Sequence, residues 1–245
     1  MLSRQDTIKQ FYTDIQLSPA YFDLYIVRRN ILAAVESNLH LFKGNILDVG
    51  CGIMPYKEII LDKNKNVSSY TGVDFESPVN DQYSILKPDM YWDGKTIPMA
   101  DNSVETVIAT EVFEHCADPE LVMKEILRVL KKDGILFFTV PFFWYLHLVP
   151  YDEYRYTPFA LKRHLTNSGF RDIQIYQQGG WDASLAQMIS LWYSRRPLSG
   201  AKRKILYAIF KPLVKYLMKK DPLLPGKHEF RDGDMVTGLF GTAYK

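Results

Sequence analysis

Two histidines stand where a chain of this kind could place an acid–base group. His115 closes the run Glu111-Val112-Phe113-Glu114-His115, and His147 lies in PFFWYLHLVPYDEYRYT. Imidazole titrates near neutrality, so either ring can take a proton from a nucleophile. His147 opens a stretch dense in polar and aromatic groups between two regular elements, the kind of loop that carries function. Within it, Asp152 and Arg155 can bind polar groups of an acceptor, and tyrosines such as Tyr154 can stack on sugar faces. The competing reading is an Asp152–Arg155 pair that pins the loop. No His, Cys or Asp set has a characteristic ligand spacing, so no metal is expected. Hydrolase chemistry lacks its nucleophile context, and Cys51 reads as a small buried residue.

A second constellation is Asp48-Val49-Gly50-Cys51-Gly52-Ile53-Met54-Pro55. Gly50 and Gly52 let the backbone approach a ligand, and a helix that follows offers unpaired N–H groups. Pro55 occupies the place of the third glycine of a dinucleotide-binding fingerprint, which lowers the case for a pyrophosphate cofactor. Asp48 would repel a pyrophosphate but can accept from an ammonium group. Asp74 can take both hydroxyls of a ribose. Asp93-Gly94 is either a plain turn or a reader of an adenine edge.

These residues need elements to position them. Apolar residues at helical spacing predict a helix from roughly Gln16 to Leu41. Strands are expected at Asn45–Val49, Ser69–Asp74, Asp89–Trp92, Val104–Thr110, Ile135–Val140, Phe170–Tyr176 and Met235–Tyr244. Helices are expected at about Pro55–Leu61, Pro119–Lys131 and Pro158–Ser168. Strands alternating with helices imply an α/β fold with a mainly parallel sheet covered on both faces. Ligands in such sheets bind beyond the carboxyl ends of the strands, where all the residues named above fall.

With their order and spacing, ILDVGCG (Ile46–Gly52), YTGVDF (Tyr70–Phe75), WDGKTIPMADNSVETVIATEVFEHCADP (Trp92–Pro119), ELVMKEILRVLKKDGILFFTVPF (Glu120–Phe142) and LFGTAYK (Leu239–Lys245) resemble the class I S-adenosylmethionine-dependent methyltransferases of type 11. The resemblance implies a Rossmann-like, seven-stranded, mostly parallel sheet whose last strand is antiparallel. It implies S-adenosyl-L-methionine as cofactor, with Asp48, Gly50 and Gly52 at its methionine part and Asp74 on its ribose. Phe75 would flank the adenine, Asp93 and Gly94 would read its edge, and Thr110 and Glu111 would line the methionine side. Glu105 departs from the common Asp and Met54-Pro55 from a small residue or glycine. The latter variant, with the HxxPxDxYRYT pattern from His147 to Thr157, is similar to methyltransferases of surface-glycan pathways. His147 and His115 are then the catalytic candidates, and Asp152, Tyr154 and Arg155 the substrate-binding ones.

The chain divides into an N-terminal helical cap (1–43), a cofactor-binding core (44–178), a helical insertion (179–233) and the last strand (234–245). With 245 residues, 47% of them hydrophobic, it can bury a core and is not a disordered protein. Two cysteines allow no disulfide framework. The N-terminus lacks the features of a secretory signal, and no run is long enough to span a bilayer. The net charge of +2 hides an asymmetry: Arg195–Lys220 carries nine basic residues and no acidic one, leaving 21 basic against 28 acidic elsewhere, a net of −7. Lys204, Lys211, Lys215 and Lys219 share one helical face. Leu206, Ile209, Leu213 and Leu217 share another, and Pro212 is expected to kink or split the helix. Such a segment is a lid, a dimer contact or an anionic-membrane contact. Stacking platforms are lacking beside it, so nucleic acid is not an expected partner. The expected activity is O-methylation of a sugar or lipid-linked glycan precursor, in the cytoplasm or at the inner membrane surface. A quinone or small-lipid methyltransferase and a non-catalytic cofactor-binding subunit are the alternatives.

Overall fold

A computed structural model of the chain describes residues 3–75, 87–221 and 229–245. Residues 222–228 of the expected insertion, with His228, lie outside the described residues.

The N-terminal cap is two short pieces rather than one long helix. Ser3 and Asp6 form a reciprocal capping box that starts α1 (Arg4–Ile8), which widens into a π turn over Lys9–Thr13. The expected helix begins only at Leu24, because Pro19 lacks an N–H and disfavours helical geometry at Ser18. α2 (Leu24–Asn38) then lays Ile31, Ala34 and Val35 on one face of the sheet, against Phe42, Ile46, Tyr56, Phe137 and Phe240.

The remaining elements follow the expected alternation. They are β1 (Gly44–Val49), α3 (Lys57–Lys63), β2 (Val67–Phe75), β3 (Met90–Trp92), β4 (Val104–Thr110), α4 (Pro119–Val129), β5 (Leu130–Pro141), α5 (Pro158–Asn167), β6 (Arg171–Gln178), α6 (Trp181–Arg195), α7 (Gly200–Lys220) and β7 (Gly238–Tyr244). One seven-stranded sheet has the order β3-β2-β1-β4-β5-β7-β6. β1 to β5 pair in parallel, and β7 runs antiparallel to both β5 and β6. α4 and α5 cover the face opposite α2, packing Met123, Ile126, Leu161 and Leu165 on Val107, Leu136 and Phe138. The departure at Glu105 has a structural use: its Oε2 accepts from Asn45 N (2.8 Å) and its Oε1 from Lys131 Nζ (2.5 Å), tying β1 to β4 and β5.

The insertion is an antiparallel hairpin of α6 and α7. Asp221 Oδ2 accepts from Gly180 N (2.9 Å) and Ala183 N (2.6 Å), capping the start of α6. Its inner face, with Ala186, Tyr193, Val214 and Leu217, encloses Phe22 and Ile26 of the cap region. α7 does not split at Pro212. The helix is continuous, and both Pro212 and Ala208, whose carbonyl loses its N–H partner, are exposed, so water can replace the missing donor. The expected apolar face of α7 is also corrected. Leu206 and Leu217 pack inward with Tyr207, Phe210 and Val214, whereas Ile209 and Leu213 face out. They belong to a second stripe, Ile205, Ile209, Leu213 and Tyr216, matched on α6 by Trp181, Leu185, Met188 and Trp192; these eight side chains are 39–66% exposed. Trp192 meets Phe210 edge-on at 5.9 Å, joining the two flanks across the hairpin seam.

Candidate functional site

The carboxyl ends of β1, β2 and β4 form the walls of a cleft. After β1 the chain turns through Gly50 and Gly52, both in the left-handed region at φ +65° and +49°. A Cβ on Gly50 would strike Val112 Cγ2 at 2.6 Å, so only glycine lets the turn lie this close to the segment after β4. A Cβ on Gly52 would meet nothing within 4 Å, because that side of the turn opens on the cleft.

Asp74, at the end of β2, accepts from Gly52 N at 2.7 Å through Oδ2 and from Phe75 N at 2.7 Å through Oδ1. Phe75 stands over Gly94, where a Cβ would meet its ring at 2.5 Å, and beside Trp92 at 5.6 Å. Asp93 Oδ1 accepts from Lys95 N and Thr96 N, both at 2.8 Å. Asp48 is buried under the turn. Its Oδ2 accepts from Tyr70 Oη at 2.6 Å, but its Oδ1 has no partner, and burial pushes the carboxyl up to about 7. An open glycine turn, a carboxylate at the next strand end, an aromatic wall and a buried carboxylate oxygen without a partner fit a ligand with an adenosine end and a cationic amino-acid end. S-adenosylmethionine is such a ligand.

After β4, Thr110 is half-buried and Glu111 takes φ +56°. That geometry is held twice by Thr139: Glu111 N donates to Thr139 O (3.0 Å), and Thr139 Oγ1 donates to Glu111 Oε1 (2.7 Å). Glu111 lies in the electrostatic field of Arg28 and Arg155. Arg28, from α2, has its guanidinium 4.1 Å from the centre of the Tyr12 ring. Sequence reasoning missed Arg28 and Tyr12, because the signal is a fold contact with no motif around it.

The acceptor side is built from two loops zipped together. Glu153 N and Tyr154 N donate to Glu114 O at 2.8 and 3.1 Å, and Tyr156 Oη donates to Phe113 O at 2.9 Å. This brings the His115 and His147 rings to 4.8 Å, edge to face. Asp152 accepts from Arg155 through both oxygens (2.7 and 2.8 Å) and from His147 N (3.0 Å), and its Oδ2 faces His147 Nδ1 at 3.2 Å. Despite burial, these partners hold the Asp152 carboxyl down at about 2. Burial lowers the His147 pKa, helped by the neighbouring His115 and opposed by Asp152. Asp152 and Arg155 therefore position the loop and the His147 ring, in keeping with the pinning-pair reading, while Arg155 Nε keeps a donor without a partner. Tyr154 stacks on Tyr156 at 5.3 Å and donates to Ala117 O, leaving Trp144 and Tyr145, with rings 4.9 Å apart, as further aromatic groups beside His147. Arg195 of α6 caps Tyr145 at 4.1 Å and pairs with Asp23 at 2.6 Å, linking insertion, cap and loop.

Known proteins share this fold. Residues 47–138 match the family model described as a methyltransferase domain. A 101-residue stretch is 34% identical to sterol 24-C-methyltransferase of Aspergillus fumigatus, covering 37% of this chain and 26% of that protein. The chain thus spans about a quarter of the length of the curated relative it matches. Among solved structures, a methyltransferase of Thermotoga maritima superposes with a TM-score of 0.57 at 15% identity, covering 92% of this chain and 93% of that one. Phosphoethanolamine N-methyltransferase 2 of Haemonchus contortus, in complex with S-adenosylmethionine, superposes with a TM-score of 0.53 at 14% identity, covering 100% of this chain and 60% of that one. Residues 47–138 thus match a methyltransferase domain, and the chain shares the fold of the S-adenosylmethionine-dependent methyltransferase of Thermotoga maritima.

Proposed function

We propose that the protein is an S-adenosylmethionine-dependent O-methyltransferase acting on a sugar hydroxyl of a glycan precursor, lipid-linked and met at an anionic membrane surface on the cytoplasmic side. Gly50, Gly52, Asp74 and Asp93 would hold the cofactor, which supplies an electrophilic methyl group when bound. Transfer needs an oxygen nucleophile held in line and relieved of its proton. The observation that carries the reading is the His147–Asp152 pair beside the cleft. A carboxylate on Nδ1 leaves Nε2 as the proton acceptor, and Trp144 and Tyr145 offer faces to a sugar ring.

The membrane part of the reading rests on the α6–α7 hairpin. Its two outward apolar stripes are flanked by the basic residues of Arg195–Lys220, the pattern of an interfacial element. No helix among the described residues is long and apolar enough to cross a membrane, so contact would be peripheral. The same stripes and the sterol-methylating relative favour a second reading, a quinone or small-lipid acceptor.

The test is turnover of sugar nucleotides, lipid-linked sugars, quinols and sterols, read as S-adenosylhomocysteine release. Turnover of a sugar hydroxyl supports the proposal. Turnover of quinols or sterols alone moves the assignment to the second reading. Cofactor binding without turnover of any acceptor makes the chain a binding subunit.

A further inference from the structure

Glu114 is fully buried, yet both of its carboxylate oxygens lack a hydrogen-bond partner. A buried carboxylate left this way is expensive unless something cationic completes it. Arg155, Glu111 and Asp152 act on it electrostatically, and two imidazoles stand close by. His115 Nε2 stands 3.8 Å from Glu114 Oε1, and one ligand atom from each of Glu114, His115 and His147 falls within 4.8 Å of the others.

The outer contacts of the rings fix their protonation. His115 Nδ1 lies 2.8 Å from Tyr151 O, a carbonyl that can only accept, so Nδ1 carries the proton. His147 Nδ1 faces the Asp152 carboxylate at 3.2 Å, and the same logic applies. A neutral ring that donates through Nδ1 keeps its lone pair on Nε2. An Nδ1–H donated to a carbonyl or carboxylate, with Nε2 free, is the support that metal-binding histidines receive. Two donors on a zinc-sized ion at about 2.1 Å stand about 3.4 Å apart in a tetrahedron. The 3.8 Å between His115 Nε2 and Glu114 Oε1 is close to that spacing already.

We propose that Glu114, His115 and His147 bind one divalent first-row transition metal ion, with zinc the natural candidate for a two-imidazole, one-carboxylate donor set. The spacing in sequence gave no hint of it, since Glu114-His115 and His147 come from loops after different strands. Binding itself is independent of the reading above; the role of the ion rests on that reading. An ion here would sit at the acceptor side with coordination positions open. It would bind the acceptor oxygen and lower its pKa, the proton leaving to water, and His147 would then act as a ligand in place of a base.

The experiment uses the full chain, stripped with a chelator and titrated calorimetrically with Zn²⁺, then with Co²⁺ while its visible absorption is followed. One equivalent should bind with visible bands of nitrogen–oxygen ligation. His147→Ala and Glu114→Gln should each weaken binding at least tenfold, with S-adenosylhomocysteine binding retained as the control for folding. If Glu114→Gln does not fold, His115→Ala takes its place. No stoichiometric binding by the wild-type chain, or variants that bind as it does, overturns the site. If metal fails to bind while a sugar acceptor is still methylated, the metal site falls and the proposed activity stands. If metal binds and no acceptor is methylated, the reverse holds.

Discussion

Asp152 holds His147 at two points, accepting from its backbone N–H at 3.0 Å and facing its Nδ1 at 3.2 Å. One carboxylate thus sets both where the loop turns and which ring nitrogen keeps its lone pair. Asp152→Asn should lower kcat by about 10²-fold while leaving S-adenosylhomocysteine affinity within twofold of wild type. Turnover assays beside calorimetry separate the two effects. A parallel loss of cofactor affinity would mean that the loop, rather than the ring, had been disturbed.

Asp74 joins the end of β2 to the glycine turn through Gly52 N. Asp74→Ala removes both a ribose-facing carboxylate and the anchor of the turn. S-adenosylmethionine affinity should fall at least 100-fold, about 3 kcal/mol, with the melting temperature little changed. Calorimetry reads the affinity directly, and unchanged binding would end the ribose assignment.

Asp48 predicts an unusual pH dependence of stability. Its folded pKa, about 7, lies above the ordinary carboxyl value near 3.8 because burial disfavours its charge. The stabilising contribution of the protonated form is complete below the ordinary value and is lost as pH rises through about 7. The difference amounts to about 4 kcal/mol at most. Denaturant midpoints at pH 5 and pH 8 should therefore fall with rising pH. In Asp48→Asn that component of the slope should vanish; an equal slope in both proteins would refute the assignment.

The outer stripes of the hairpin predict salt-sensitive flotation with vesicles rich in anionic lipid. Lys215→Ala and Lys219→Ala should each weaken partitioning about fivefold, from roughly 1 kcal/mol per basic residue. Leu185→Glu combined with Ile209→Glu should abolish it without altering turnover of a water-soluble acceptor. Flotation that persists in the double variant would assign the stripes to another contact.

The strands and the residues at their carboxyl ends were legible because strand-end patterns are local. A glycine turn, a carboxylate at the next strand end and Asp93-Gly94 each occupy a few consecutive residues. The rest depended on what lies across space. The apolar arc of α7 is wide enough to include Leu206, Ile209, Leu213 and Leu217, and periodicity alone cannot say which part of it meets Phe22 and Tyr193. Glu114 reads as an ordinary polar residue until Glu153 and Tyr154 close over its backbone. Arg28 gains meaning only when α2 brings it to Tyr12 and Glu111. Asp152 and Arg155 were weighed both as acceptor binders and as a pinning pair, and the bidentate pair between them supports the second.

Gln178 and Gly238 are cross-strand partners, so the segment from 179 to 237 leaves the sheet and returns to it at a single neck. Whatever is written into that hairpin is topologically a passenger. The hairpin still touches the rest of the molecule, through Arg195 to Tyr145 and Asp23 and through Phe22 and Ile26, so exchanging it would leave the strand order intact while loosening the cap and the His147 loop.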